Sequence, residues 1–281
     1  MFKLVQRQLK WLLLSPKFYL AILLTGCAYG FYSIKLSEFS TYLGEPVNIL
    51  EGWVYCSSSA DAVTISILAL LFLFSNTPFS SENQSFEIIR LSKKKWLGAK
   101  LLYLFFAVSI FYIFLAVNSL LLVSGQAFIA NMWSDPIYQL SIGNMGLNTS
   151  SQLLFGIMNI IKCFTPGFAS GMSLVLLVLY SFLCLSVLTL LNMKLPRGIS
   201  LILSVLIQAA GYTIFTRFKK YMEFSPLTRA ILNNYQSNSL NSEGLSLIHS
   251  LVIFTGAIIV ILALIFVFVQ KVDIQRLLED E

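Results

Sequence analysis

The sequence predicts an all-α, polytopic membrane protein with six transmembrane helices, preceded by an N-terminal interfacial amphipathic helix. Of the 281 residues, 57% are hydrophobic and 11% are charged, whereas an ordinary soluble domain carries about 25% charged residues. The apolar residues stand in long blocks, several near or above the roughly 18 to 20 residues that cross a bilayer. This composition excludes a soluble globular enzyme and a disordered chain. A membrane barrel is excluded because the blocks are continuous rather than alternating.

Residues 1–14 have the pattern of an amphipathic helix. Lys3, Arg7 and Lys10 fall on one side of a helical wheel, and Trp11 stands at the border between that basic side and the apolar side. A basic face, an apolar face and an aromatic residue between them are typical of a helix that lies in the membrane surface. A charged anchor that only orients the chain is the second interpretation, and the two are compatible. Both assign these four residues to membrane anchoring.

Six apolar blocks predict the transmembrane helices. At about 1.5 Å per residue, each block is long enough for the hydrocarbon core with modest tilt. Each must be helical, because a lone strand would leave its backbone polar groups unpaired in lipid. The predicted spans are residues 18–34, 62–79, 101–124, 170–191, 198–215 and 247–270. They form a single membrane domain over residues 1–281.

The positive-inside rule predicts a multi-pass protein of the cell membrane with both termini in the cytoplasm. In that orientation, about two thirds of the 19 Lys and Arg residues lie in inner segments. The outer side then carries long loops at residues 35–61, 125–169 and 216–246. The last loop is basic, and a seventh, short span at residues 152–164 would move it inside. We prefer an interfacial or re-entrant helix there, because thirteen residues with a lysine are short for a span.

The chain lacks the motifs of common enzyme and cofactor sites. It has one histidine, His249, and no GxxxxGK[ST], HExxH or GxSxG motif. We therefore expect no catalytic site, no metal and no cofactor on this chain. Ionisable residues are absent from the middle of the predicted spans, which disfavours an ion-driven transporter. Asn76, Asn118 and Gln208 are candidates for a substrate path, although hydrogen bonding between helices is the simpler explanation.

The four cysteines are too few and too scattered for a disulfide scaffold or a metal site. Cys56 and Cys163 could meet outside the membrane, and whether they pair stays open. The basic residues flank the apolar blocks, which favours contact with anionic lipid and gives no reason to expect nucleic acid.

The inner loop after the second span predicts a short helix at residues 82–91. Its apolar and charged residues are, in order, Glu82, Phe86, Glu87, Ile89, Arg90 and Leu91. A short cytosolic helix with this much apolar surface, rimmed by charges, is typical of a contact surface for a protein partner. A solvated basic loop that only sets the topology is the alternative. Trp96 and Lys100 follow, and we expect them to anchor the third span at the membrane interface.

The order of residues in this loop resembles the ABC-2 type permease family, the membrane subunits of one class of ATP-binding-cassette exporters. The matching positions are Glu82, Glu87, Arg90, Ser92, Lys93 and Lys100. The surface helix before the first span, the six-span layout, the FVQKVDI end at residues 268–274 and the SPL sequence at residues 225–227 are similar to the same family. The extended segment 125–169 and the basic stretch 216–229 depart from a minimal member.

The resemblance implies that residues 82–91 form a coupling helix, with Glu82, Phe86, Glu87, Ile89, Arg90 and Leu91 as its contact residues. In such transporters this helix fits a cleft in the ATPase subunit, and closure of two ATPases moves the spans. The implied partners are two ABC ATPase subunits, which bind ATP and Mg, and a second permease subunit, identical or related. We expect export of an amphipathic or hydrophobic substrate, such as an antimicrobial peptide, a drug or a lipid-like molecule.

Two other functions stay open. One is a non-transporting immunity or assembly factor that binds a partner within the bilayer, which predicts no association with an ATPase. The other is a membrane enzyme acting on lipid or prenyl groups, which normally needs acidic metal-binding clusters near the inner face. Glu82 and Glu87 alone do not make such a cluster.

Overall fold

The computed structural model describes residues 2–78, 91–142, 157–235 and 245–271, and most of them are helical. Two short strands, β1 (Val47–Asn48) and β2 (Ala127–Phe128), pair in parallel. The α-helices within the described ranges are α1 (Phe2–Leu14), α2 (Pro16–Leu43), α3 (Ile49–Ser57), α4 (Ala60–Leu73), α5 (Lys93–Val123), α6 (Asp135–Ile142), α7 (Met158–Cys163), α8 (Pro166–Asn192), α9 (Arg197–Arg217), α10 (Pro226–Ala230) and α11 (Leu247–Lys271).

Five of the described helices are long and apolar enough to cross a membrane: α2, α5, α8, α9 and α11. Helices α3 and α4 pass the same test only as a pair, and they are bent by 75° at the break between them. The pair is therefore a broken span or a re-entrant loop. The described chain has five or six candidate spans, and the predicted nearly all-α, multi-pass architecture is confirmed at that level. The count of six stays a prediction.

Local capping sets where the bent pair begins and ends. Asn48 caps α3 in a capping box, in which its side chain accepts from the Leu50 N–H at 3.0 Å and Glu51 reaches back to the Asn48 backbone. Ser59 caps α4, because its hydroxyl accepts from the Ala62 N–H at 3.4 Å. These polar groups satisfy backbone atoms that a break would otherwise leave unpaired.

The structure corrects the second predicted span and the loop before it. Helix α4 ends at Leu73, and a turn follows to Pro78, so residues 74–78 of the predicted span are not helical. Proline disfavours helix in the residue before it and lacks an N–H of its own. The predicted loop 35–61 holds the last turns of α2 and all of α3. Helix α3 has nine residues, too few to be recognised as a span from length.

The helix contacts separate two ends of the bundle. At one end, which we call the terminal end, Asn192 of α8 donates to the carbonyl oxygens of Ser75 at 2.8 Å and Thr77 at 2.5 Å. Trp96 at the start of α5 packs there with residues of α8 and α11, and Leu4 of α1 joins them. The opposite end, which we call the distal end, holds α3, the two strands and α6. Both described termini therefore lie at the terminal end.

A buried carboxylate holds α3 to the segment before α6. Glu51 Oε1 accepts from the Ser134 backbone N–H at 2.6 Å. Its Oε2 accepts from the Ser134 hydroxyl at 2.6 Å and from the Asn48 N–H at 3.0 Å. The Asn48 side chain in turn donates to the carbonyl oxygens of Ala130 and Met132. This network joins two segments about 80 residues apart in sequence and closes the distal end.

Glu51→Gln is expected to lower the free energy of unfolding by about 2 kcal/mol. The amide nitrogen of glutamine cannot accept a hydrogen bond, so one of the two backbone N–H groups that Glu51 now accepts from loses its acceptor. The measurement is the thermal unfolding of the purified protein in detergent. Glu45→Gln is the matched control, since Glu45 is exposed beyond the end of α2. Equal unfolding temperatures for the two variants would contradict the role of the Glu51 network.

Gly52 lets α3 lie directly against α5. A Cβ atom at Gly52 would stand 2.7 Å from Val123 Cγ2 and 3.0 Å from the Ser119 carbonyl oxygen. The second atom belongs to the backbone, so a side chain cannot relieve the contact by rotating. A glycine at this position is therefore required by the close approach of the two helices.

Gly52→Ala is expected to destabilise the protein by about 2 kcal/mol, because α3 must move away from α5. The matched control is Gly171→Ala in α8, where an added Cβ meets nothing within 4 Å. Thermal unfolding in the same detergent compares the two. If the alanine at position 52 is tolerated as well as the one at position 171, the close packing of α3 on α5 is wrong.

Candidate functional site

The residues predicted to contact an ATPase lie mostly outside the described part of the chain. Glu82, Phe86, Glu87, Ile89 and Arg90 fall in residues 79–90, which the structure does not describe. Leu91 is described: it is half-buried and packs against a cluster at the terminal end. That cluster, which we call the terminal cluster, consists of Trp96, Leu97, Leu101, Met193, Ile265 and Val269.

The described residues on either side of this segment lie at the terminal end. Thr77, next to Pro78, is hydrogen-bonded by Asn192 at the end of α8, and Leu91 contacts the terminal cluster. The described residues that flank residues 79–90 therefore lie at the end that also carries α1 and the end of α11.

Helix α1 has one buried and one exposed side. Val5 and Leu12 are buried, whereas Phe2 is 71% exposed. The four residues predicted to anchor the chain are all exposed: Lys3, Arg7, Lys10 and Trp11. Helix α1 packs against α2 and the first turns of α5. The contact of its exposed side with lipid stays a prediction.

Trp96 and Lys100 differ from the expectation that they face the membrane interface. Trp96 is fully buried in the terminal cluster, and Lys100 is 3% exposed. The Lys100 ammonium lies 6.0 Å from the centre of the Trp96 ring, within the range of a cation–π contact. Packing of the indole against Met193 and Val269 buries apolar surface that a position at the membrane interface would leave partly exposed.

The three amides predicted to line a substrate path lie apart. Asn76 is exposed in the turn after α4, at the terminal end. Asn118 of α5 donates to the Gly26 carbonyl of α2 at 3.5 Å. Gln208 of α9 is 4% exposed and faces α8. The structure therefore does not bring the three side chains together.

Gln208 joins α9 to α8 beside a small cavity. Its Oε1 accepts from the Tyr180 hydroxyl at 2.7 Å, and its Nε2 donates to Cys184 Sγ at 2.8 Å. The adjoining cavity has a volume of about 120 Å³ and is lined by residues such as Ser204 and Pro226. It is large enough for a few water molecules and too small for a drug-sized ligand. Interhelical hydrogen bonding therefore accounts for Gln208.

A carboxylate between three helices was not recognised from the sequence. The Tyr212 hydroxyl of α9 donates to Asp61 Oδ1 at 2.6 Å, and the Tyr32 hydroxyl of α2 donates to Oδ2 at 3.4 Å. Asp61 stands in the first turn of α4 and is exposed. In the sequence, Asp61 is the last residue of the predicted loop 35–61, one residue before the predicted span 62–79. We call these three residues the Asp61 site.

An apolar groove runs between α2 and α4, on the side of the Asp61 site that faces the terminal end. Its volume is about 610 Å³, within the range of ligand pockets of about 300 to 1,000 Å³. Lys17 lies in the part of its lining that belongs to the start of α2. The apolar lining includes Leu20, Leu24, Ile65, Ala69 and Phe72. We call it the α2–α4 groove.

Neither a metal cluster nor a disulfide between Cys56 and Cys163 is found within the described ranges. There, no group of three or more His, Cys, Asp or Glu residues could hold a metal ion. Cys56 and Cys163 do not form a disulfide with each other. Cys56 is buried, and its thiol donates to the Tyr29 carbonyl at 3.0 Å, which holds it inside the bundle.

The fold and its apolar helices define a class, an α-helical multi-pass membrane protein. No protein-family model, curated protein or solved structure matches the chain. Its function is therefore inferred from its own residues and their arrangement.

The Tyr180–Gln208 hydrogen bond is testable by a double-mutant cycle. Tyr180→Phe and Gln208→Leu are each expected to lower the free energy of unfolding by about 1 kcal/mol, the scale of interhelical hydrogen bonds in membranes. The double variant is expected to lose less than the sum, because neither polar group is then left unpaired. Thermal unfolding measures all three variants. Strictly additive losses would contradict the assigned bond.

Proposed function

We propose that the chain is the permease subunit of an ABC exporter. A second permease subunit, identical or related, and two separate ATPase subunits complete the transporter. The ATPases bind ATP and Mg, and this chain supplies the membrane path and the coupling helix at residues 82–91. Both termini lie on the cytoplasmic side of the cell membrane, and α1 lies in the membrane surface. The cargo is amphipathic or hydrophobic.

The observation that carries this proposal is the position of the described residues on either side of the connection between α4 and α5. Its flanking residues, Thr77 and Leu91, lie at the terminal end together with α1 and the end of α11. The connection carries apolar residues between acidic and basic ones, the composition of a contact surface for a protein. A soluble partner could therefore reach it from the side that also carries the termini.

The packing gives this connection a direct mechanical route into the bundle. It joins α4 to α5, and a buried chain of hydroxyl groups ties these helices to α8. Tyr112 Oη lies 3.0 Å from Ser66 Oγ of α4 and 2.7 Å from Ser181 Oγ of α8. A displacement of residues 82–91 acts first on α4 and α5, and this shared network passes it to α8. In the exporter, nucleotide-driven closure of the ATPases supplies that displacement.

The absence of a phosphate-binding loop in these 281 residues is consistent with a separate motor subunit. The apolar surfaces of the candidate spans favour an amphipathic or hydrophobic cargo over an ion or a sugar. A non-transporting immunity or assembly factor would share the spans, but it would have no use for an ATPase-binding helix.

Glu87→Arg is expected to reduce the ATPase activity that co-purifies with the tagged chain by about tenfold or more. The reversed charge would face the same partner groups that the carboxylate now pairs with. The chain is purified from its native membranes in mild detergent, and phosphate release is measured per mole of chain.

Lys94→Ala is the matched control, because Lys94 is an exposed lysine in the first turn of α5, seven residues after Glu87 in the sequence. It removes a charge without touching the proposed contact residues, so its co-purified activity is expected to equal that of the wild type. Equal activity for Glu87→Arg and wild type, or no ATPase activity in any preparation, would contradict the proposed coupling helix.

A further inference from the structure

We propose that the Asp61 site and the α2–α4 groove together bind an amphipathic cation, with its charged group at Asp61 and its apolar part in the groove. This inference names the chemistry of the cargo and therefore builds on the proposed export function. Binding itself needs only the residues of this chain.

The Asp61 carboxylate has more acceptor positions than the described hydrogen bonds use. An ionised carboxylate has about four acceptor positions, and Asp61 receives two hydrogen bonds, from Tyr212 and Tyr32. Among the side chains that the structure describes, the ion pair joins Lys35 to Glu38, and none of them forms an ion pair with Asp61. The described partners of the Asp61 carboxylate are therefore neutral donors, and its remaining acceptor positions suit a cation.

The second observation is the position of the site along the helices. Tyr32 lies about 24 Å along α2 from Pro16, and Tyr212 lies about 22 Å along α9 from Arg197. Both helices start at the terminal end, so the exposed Asp61 carboxylate lies toward the distal end of two candidate spans. A carboxylate close to the apolar part of a bilayer favours a partner of opposite charge.

The Asp61 carboxylate lies one helical turn beyond the lining of the groove on α4. Ile65, which lines the groove, follows Asp61 by one helical turn on α4 and therefore shares its face. Tyr32 follows Leu24 by two turns on α2. Lys17 lies at the opposite end of the groove, so the two ends carry opposite charges. A molecule in the groove therefore directs its cationic group to the distal end.

The fourth observation is the chemistry of the surroundings. Tyr32 packs edge-on against Phe31 at 5.4 Å and against Tyr55 at 6.3 Å, measured between ring centres. Aromatic faces attract ammonium groups, and a carboxylate adds a charge-assisted contact. The groove offers almost only apolar atoms to the rest of the ligand. The ligand class is thus an ammonium or guanidinium group attached to an apolar chain.

The experiment measures binding of radiolabelled dodecyltrimethylammonium to the full chain in phosphatidylcholine nanodiscs, corrected for empty nanodiscs. The uncharged probe is the analogue that has carbon in place of nitrogen. Asp61→Asn is expected to weaken binding of the cation by about tenfold or more and to leave binding of the uncharged analogue unchanged. Glu38→Gln, which removes another exposed carboxylate, on α2, is the matched control and is expected to bind both probes like the wild type.

A further variant tests the groove separately from Asp61. Ala69→Phe fills the groove and is expected to reduce binding of both probes. This variant keeps the test decisive if Asp61→Asn fails to fold, because unchanged cation binding in a folded Ala69→Phe protein would contradict the inference.

The source of the cation is separated by the lipid. Phosphatidylcholine carries an ammonium headgroup and phosphatidylglycerol does not. If replacing half of the phosphatidylcholine by phosphatidylglycerol raises the ratio of wild-type to Asp61→Asn probe binding, the lipid ammonium competes for the site; if the ratio is unchanged, the site selects the free amphipath. Either result supports the shared chemistry. Equal cation binding by wild type and Asp61→Asn overturns the inference. It is also overturned if the wild type does not bind the cation and Asp61→Asn changes the oligomeric state, because Asp61 would then belong to an interface between copies.

These measurements are made without an ATPase. Failure of the proposed export function would leave probe binding intact, and failure of the inference would leave the co-purified ATPase activity intact. The two results are therefore distinguishable.

Discussion

The distal half of the structure depends on the bend between α3 and α4, where the backbone groups remain satisfied. Where such a bend lies in hydrocarbon, no water is available to the backbone, and two serines supply hydrogen bonds here. The Ser58 hydroxyl donates to the Val54 carbonyl at 2.7 Å, and Ser59 caps the next helix. The chain can then turn by 75° between α3 and α4. That turn buries α3 against α5 and leaves Asp61 at the outer side of the joint.

Much of the fold could be predicted, because continuous apolar length is visible in a sequence. Five of the six predicted spans fall within or close to the bounds of α2, α5, α8, α9 and α11. The bent pair of α3 and α4 could not be predicted. Helix α3 is short and carries Glu51 and Gly52, residues that argue against a buried helix until their partners are known. Those partners, Ser134 and Val123, lie far away in the sequence and are supplied only by the folded chain.

The candidate site was predicted less completely, for a related reason. Gln208 was recognised because an amide stands out in an apolar block, but its partners on α8 had no signal of their own. Asp61 was missed because a carboxylate at the edge of a span looks like a loop residue. The signal that could have found it is the Ser59 cap just before it, which starts a helix at that point. The coupling residues 82–90 rest on sequence alone, because they lie outside the described ranges.

The central claim is that a motor protein acts on the connection between α4 and α5, and photo-cross-linking in intact cells tests it most directly. A photoreactive amino acid replaces Ile89 in the proposed coupling helix, and in a parallel strain it replaces Ile129, which is 86% exposed at the distal end. The account predicts that the adduct at position 89 contains a nucleotide-hydrolysing subunit and that the adduct at position 129 does not. Recovery of no such subunit at position 89, or of the same subunit at both positions, would contradict it.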